Sequence, residues 1–270
     1  MIHEQEKLTK ELTKVVQIFE GSEGEIRPHF ILTGSSGSGK SHIIATLAEK
    51  MDLEYLEINA AQLTKEGTAG NSLSKALSPL ANKQQALTLC FVDEFDKLFI
   101  SGNSNDALAH ESTNGVQNEF LKVLEADHAS VFGDYGKYVS ISVKNVLFVF
   151  AGAFNGEEDV TLDRLRDFGV KTEFLGRVGL VFNTEKLSLN SMIDILKNSK
   201  TLAGYLKLFP AVDKAEAVQA IGDVMAQNYE KNTLGIRMIT TLIHRYFISG
   251  GKLQDKEVKQ VSFQKTLTLD

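Results

Sequence analysis

Eight consecutive residues constrain this chain more than anything else in it. Gly34-Ser35-Ser36-Gly37-Ser38-Gly39-Lys40-Ser41 meets the pattern G-x-x-x-x-G-K-[ST] at every position. The flanks supply the context that the pattern needs. Upstream, Phe30-Ile31-Leu32 is a short apolar run suited to a buried parallel strand. Downstream, Ile43, Ile44, Leu47, Ala48 and Met51 recur at helical spacing. A glycine loop between a strand and a helix N-terminus lets backbone N–H groups converge on phosphate oxygens, and the helix dipole adds to that attraction. Gly34 to Ser41, with His42 beside them, are therefore the expected binding loop for the phosphates of ATP. Lys40 would reach the β- and γ-phosphates, and the Ser41 hydroxyl would ligate Mg²⁺. The competing explanation is a Gly/Ser-rich linker that meets the pattern by chance. Agreement of strand, loop and helix argues against it.

The chain has 270 residues, of which 43% are hydrophobic and 24% charged. That balance suits a globular protein of one large domain or two modest ones. A formal net charge of −6 gives no general attraction to nucleic acid. The single cysteine, Cys90, excludes an internal disulfide framework and any multi-cysteine zinc module, and its apolar neighbours mark it as a core residue. No apolar run is long enough to span a bilayer, and Met1-Ile2-His3-Glu4-Gln5-Glu6 lacks the layout of a signal peptide. A cytoplasmic protein with no membrane partner is expected.

Residues 3 to 20 read as an amphipathic helix, with Leu8, Leu12, Val15, Val16 and Phe19 on one face. After the glycine loop and its helix, Leu53 to Ile58 alternates as a strand. Leu73, Ala76, Leu77 and Leu80 suggest a helix, and Ser101 to Ser112 reads as a polar loop. Val116, Phe120, Leu121, Val123 and Leu124 mark a further helix. Val131 to Val143 alternates around Gly133 and Gly136, as either a hairpin or a long loop. Asn145 to Ala151 is another buried strand. Buried strands separated by helices specify a three-layer α/β domain with a parallel sheet, expected over residues 1–186. Residues 188 to 248 carry only helical periodicities, so a small helical lid domain is expected over 187–270, with a possible final strand at Val258 to Leu269.

Ala86 to Val92 is an apolar run that ends in Asp93-Glu94. A buried parallel strand with two carboxylates at its C-terminal end places them at the edge where open α/β sheets gather ligands. Asp93 suits the Mg²⁺ shell, and Glu94 suits polarising an attacking water. A solvated acidic turn is the alternative, weakened by the glycine loop upstream.

Glycine loop, Asp-Glu strand end and helical lid together suggest an AAA+ ATPase. Several segments resemble the ClpX/HslU clade of unfoldases over most of the chain from about Phe30 to about Ile248. Phe91-Val92-Asp93-Glu94-Phe95-Asp96-Lys97-Leu98 resembles the clade's Walker B segment. Leu147 to Phe154 is similar to the strand and "GAF" turn of ClpX. Glu173-Phe174-Leu175-Gly176-Arg177 resembles its "EFIGR" box, and Leu234-Gly235-Ile236-Arg237 resembles the "GAR" start of its sensor-2 helix. The resemblance implies a homo-hexameric ring with ATP bound between subunits. It implies that Arg177 is the arginine finger that reaches a neighbour's nucleotide, that Arg237 reads the γ-phosphate in cis, and that Asn155 is a candidate sensor-1 group. Surface salt bridges are the plainer reading of both arginines.

Departures from the clade shape the functional expectation. No counterpart of the zinc-binding N-terminal module of ClpX is expected. Thr68 and Ala69, within Lys65 to Gly70, stand where ClpX has the aromatic and valine of its pore loop. Phe99, Tyr135 and Tyr138 are candidates to compensate. The short connection from Phe154 to Glu173 resembles no protease-docking loop. The expectation is an ATP-hydrolysing ring that remodels a protein partner or assembly without a ClpP-type peptidase. The alternatives are a nucleic-acid-associated AAA+ ATPase that loads or regulates another factor, and a nucleotide-switched scaffold with negligible turnover.

Overall fold

A strand buried on both faces needs an apolar residue at nearly every position, because successive side chains point to opposite sides of the sheet. The computed structural model describes residues 3–65, 70–82, 86–99, 107–133, 137–251 and 253. Among the expectations above, residues 66–69 with Thr68 and Ala69, residues 101–106, Tyr135, and the candidate strand at Val258 to Leu269 lie outside the described residues. The chain divides into two compact units, Met1–Leu187 and Ser188–Asp270.

The first unit runs α1 (Glu6–Gly21), β1 (Phe30–Thr33), α2 (Lys40–Lys50), β2 (Glu54–Asn59), α3 (Leu73–Ala76), β3 (Thr88–Asp93) and α4 (Ala107–Glu125). It continues with β4 (His128–Phe132), β5 (Tyr138–Ser142), β6 (Val146–Gly152), α5 (Leu162–Asp167), α6 (Thr172–Arg177) and β7 (Leu180–Asn183). Five parallel strands form one sheet in the order β2-β3-β6-β1-β7. The alternation of the pleat divides each apolar run between two cores. Phe30, Leu32, Leu89, Phe91, Leu147 and Val149 meet Leu12, Val16 and Phe19 of α1 and Ile44 and Leu47 of α2. Ile31, Cys90, Val92, Phe148 and Phe150 face the other way, towards Val116 and Phe120 of α4 and Phe174 of α6. The domain is thus three-layered.

Several local readings change. Leu180-Val181-Phe182, unassigned in the sequence reading, lies in β7, which pairs in parallel with β1 and forms that edge of the sheet. The helix suggested over Leu73 to Leu80 is a single turn, α3, followed by a 3-10 segment Ser78–Asn82. Pro79 lacks the N–H that would continue the helix, and it disfavours helical geometry at Ser78. The polar stretch from Ser101 is not all loop, because α4 starts at Ala107. The open choice at Val131 to Val143 resolves as a hairpin, β4 pairing antiparallel with β5.

The second unit holds α7 (Leu189–Lys197), α8 (Lys200–Leu208), α9 (Lys214–Asn228) and α10 (Arg237–Ile248). Ser188, Ser199 and Asp213 cap the first three, each side chain accepting a first-turn backbone N–H. Met192, Leu196, Leu202, Ile221, Met225 and Ile243 fill the space between the helices. Tyr205 of α8 stacks on Phe247 of α10 at 4.6 Å, and its hydroxyl bonds His244 Nδ1 at 2.9 Å.

His29 makes the first unit acid-sensitive. Its Nδ1 accepts the backbone N–H of Phe148 at 3.0 Å, which requires an unprotonated nitrogen. Burial, with the charge of Arg27 second, pushes its pKa down to about 3. The unfolded imidazole titrates near ~6.5, so the stability is complete above that pH and is lost as pH falls towards the folded value. The chain should lose about 2 kcal/mol of stability from this group between pH 7 and pH 5. Denaturant titration at the two pH values measures it. His29→Gln should flatten the profile by that amount; an unchanged slope would remove His29 as the cause.

Candidate functional site

The glycine loop leaves β1 at Thr33 and enters α2 at Lys40, so strand and helix fix both of its ends. Gly39 is the N-cap of α2, at φ 93°, and has no side chain with which to cap. The first N–H groups of a helix have no acceptor within it, so an uncapped first turn is left to an anionic ligand. Lys40 Nζ donates to Gly34 O at 2.6 Å and to Ser35 O at 3.0 Å, which lays the ammonium across the loop. Ser41 is half-buried and His42 is exposed in the first turn of α2; Ser35, Ser36 and Gly37 are partly exposed.

The back of the loop is fastened by residues that the sequence reading did not identify. Thr184, just past β7, donates from Oγ1 to Thr33 O at 3.1 Å, and Ser38 Oγ lies 2.8 Å from the same hydroxyl. Gln5 is 3% exposed, and its Nε2 donates to Glu185 O at 3.0 Å and to Ser38 O at 3.4 Å. Gln5 Oε1 is buried with no hydrogen-bond partner among the described residues. A close approach fixes Gly34: at φ 138°, a Cβ there would lie 1.8 Å from Thr184 Oγ1. Nothing in the sequence separates Gln5 from its solvated neighbours Glu4 and Glu6, and Thr184 lies in no periodic segment. Both roles come from contacts distant in sequence.

Asp93 closes β3, and Glu94 follows at φ 55°. Asp93 is partly buried and its Oδ1 accepts the backbone N–H of Glu94 at 2.8 Å; the Glu94 side chain is exposed. Because every strand of the sheet is parallel, this turn and the glycine loop leave the same edge. β6 lies between β3 and β1, so the exposed Asn155 leaves the sheet between Glu94 and the loop. Ser41 and Asp93 would each offer an oxygen donor, the atom type that hard divalent cations prefer. No cluster of three or more His, Cys, Asp or Glu suited to a metal exists among the described residues.

Arg177 ends α6, and its Nε and Nη2 both donate to Glu125 Oε1 at the end of α4, at 3.1 and 2.8 Å. Both partners are about half exposed. Arg237 opens α10 in the second unit and is exposed.

A family model described as the ATPase family associated with various cellular activities (AAA) matches residues 30–173. Among curated relatives, the ATP-binding subunit ClpX 2 of the ATP-dependent Clp protease of Wolinella succinogenes is 28% identical, over 68% of this chain and 55% of the relative. The ClpX subunit of Bacteroides fragilis is 25% identical, over 85% of this chain and 67% of its own. That of Treponema denticola is 26% identical, over 82% and 65%. This chain therefore spans 55 to 67% of the length of these relatives.

Proposed function

The chain belongs to the ATPase family associated with various cellular activities, with ClpX subunits among its relatives, and from that membership we propose an ATP-driven remodeller of a protein partner. It works as a homo-oligomeric ring, hydrolyses ATP with Mg²⁺, and acts without an attached peptidase. One observation carries the reading: the glycine loop, Asn155 and Asp93-Glu94 leave one edge of a parallel sheet in that order.

Each residue has a distinct task in this reading. The N–H groups of residues 34–41 and the Lys40 ammonium hold the β- and γ-phosphates. Ser41 and Asp93 hold Mg²⁺, which when bound neutralises charge on the phosphates. Glu94 orients the attacking water and accepts its proton. Asn155 adds a hydrogen-bonding group beside it. Arg177 serves a neighbouring subunit's nucleotide and Arg237 senses the γ-phosphate. The bond between Arg177 and Glu125 is no obstacle, because exposed ion pairs contribute only about 0–1 kcal/mol. The apolar side chains between Asn155 and Thr172 support the peptidase-free reading. Val160, Leu165 and Val170 are buried and Leu162 and Phe168 pack on the same core, so none of the five is offered on a docking loop.

Mixed rings test the reading. Arg177→Ala subunits and Glu94→Gln subunits should each be nearly inactive alone. Mixed in equal amounts, about one quarter of heterologous interfaces pair an intact arginine with an intact carboxylate, and ATPase activity should reappear in proportion. No recovery, in rings verified by light scattering, would sink the trans role of Arg177. ATP-dependent degradation of a tagged substrate on adding a ClpP-type peptidase would sink the peptidase-free part.

A further inference from the structure

β3 and β6 are neighbouring parallel strands, with Val92 opposite Phe150. Each ends in a turn that a non-glycine residue enters only under strain. Glu94 sits at φ 55°, and Phe154 and Asn155 follow one another at φ 44° and 59°. Such conformations persist only where the surroundings hold them, and they cluster at functional sites. Here they present the exposed side chains of Glu94 and Asn155 at one sheet edge.

A single carboxylate joins the two turns. Asp96 lies in the 3-10 segment Phe95–Leu98 after Glu94 and is 2% exposed. Its Oδ2 accepts the backbone N–H of Phe154 at 3.2 Å, and Lys97 Nζ lies 3.6 Å from the same oxygen. The carboxylate fits because residue 152 is glycine. A Cβ on Gly152 would lie 2.9 Å from both Cβ and Oδ1 of Asp96 and 2.7 Å from Phe154 Cε2. Phe154 is fully buried, so its N–H has no solvent to turn to if the carboxylate is lost. The turn that carries Glu94 is anchored separately. Phe95 packs against Phe150 at 4.8 Å, Phe99 at 4.8 Å and Phe174 at 5.1 Å. Asp96 passes that anchorage on to the turn that carries Asn155.

We propose that Asp96 is a positioning residue for ATP hydrolysis: its buried carboxylate clamps the turn after β6 to the turn after β3 and so sets Asn155 against Glu94. The proposal rests on the ATPase reading of Glu94 given above. Asp96 is too buried to touch a nucleotide, and the glycine loop is held by Thr184 and Gln5 instead. Loss of the clamp should therefore reach the chemical step and leave binding nearly intact.

The test compares Asp96→Ala with Asp96→Asn, whose amide oxygen can still accept from Phe154 N–H. In Asp96→Ala, kcat should fall about 10- to 100-fold while KM changes little, because small misplacements of reacting groups cost rate steeply. Amide exchange across residues 152–156, measured without nucleotide, should rise about 10-fold as the hydrogen bond is lost. Asp96→Asn should restore both readouts to near the wild type. Asp96→Ser, too short to reach Phe154, replaces the alanine variant if that does not fold. Unchanged exchange in Asp96→Ala, wild-type kcat, a KM that rises as far as kcat falls, or an asparagine variant as impaired as alanine would each overturn the proposal. Glu94→Gln run in parallel separates the failures. An inert Glu94→Gln beside an active Asp96→Ala removes this proposal alone, and wild-type turnover in Glu94→Gln removes the reading beneath it.

Discussion

Glu94→Gln should bind ATP as tightly as the unaltered chain and hydrolyse it about 10²–10⁴-fold more slowly, the usual contribution of a positioned general base. Glutamine keeps the size and hydrogen-bonding reach of glutamate but not its basicity. The turn has no reason to change, because it is held by the backbone N–H of Glu94 on Asp93 Oδ1 and by the buried ring of Phe95, not by the Glu94 side chain. That side chain is exposed at the sheet edge, so its loss should not lower the melting temperature. Equilibrium binding of a slowly hydrolysed analogue and single-turnover hydrolysis read the two halves of the prediction. Wild-type turnover would show that Glu94 is only an acidic residue in a turn. The ATP-trapped variant is also the form in which a protein partner should stay bound longest.

Gly34→Ala should lower ATP affinity by about 100-fold or more, through geometry and not through charge. The added Cβ would arrive 1.8 Å from Thr184 Oγ1, at a φ of 138° that side chains avoid. Overpacking of this kind costs about 1–3 kcal/mol, and backbone strain adds a similar amount. The loop must move, and the N–H groups that converge on phosphate move with it. Removing the obstructing hydroxyl with Thr184→Ala should recover part of the affinity in the double variant, leaving the backbone strain and the tighter contacts with Cβ and O of residue 184 at 3.1 and 3.3 Å. Isothermal titration of the four proteins gives the coupling directly. Additive losses would mean that Thr184 is not what confines Gly34. Lys40→Ala makes the contrast, since it should weaken ATP binding about 10- to 100-fold by loss of charge-assisted bonds, with no relief from Thr184→Ala.

Legibility of the fold followed burial. β3 and β6 were readable because both faces are covered, so the residues of each run are apolar regardless of the side they face. β7 is harder to read. It has four residues at a sheet edge with Leu180 42% exposed, and its apolar triplet Leu180-Val181-Phe182 is too short to mark a strand without its parallel pairing to β1. The helix after Leu73 is shorter than its apolar spacing suggests, because spacing does not register that Pro79 stops a helix. α4 is longer than its apolar spacing suggests, since its first turns are polar and a tertiary setting can override weak local propensity.

The sequence by itself determined the chemistry available to this protein. The glycine loop, Lys40, Ser41 and the Asp93-Glu94 pair are each contiguous, and their strand and helix context is written in the residues beside them. Only the tertiary structure decided how those groups are held. Gln5 meets Ser38 across 33 residues, Thr184 meets Ser38 across 146, Asp96 meets Phe154 across 58, and Arg177 meets Glu125 across 52. The physical reason is a general one. Periodicity reports which face of an element is apolar, whereas a single hydrogen bond between distant segments depends on sheet order and on where each strand ends. Parallel pairing of β1 with β6 and β7, and of β3 with β6, brings the strand ends beside Thr184, Ser38, Asp96 and Phe154 together, while Arg177 meets Glu125 where the ends of α6 and α4 pack.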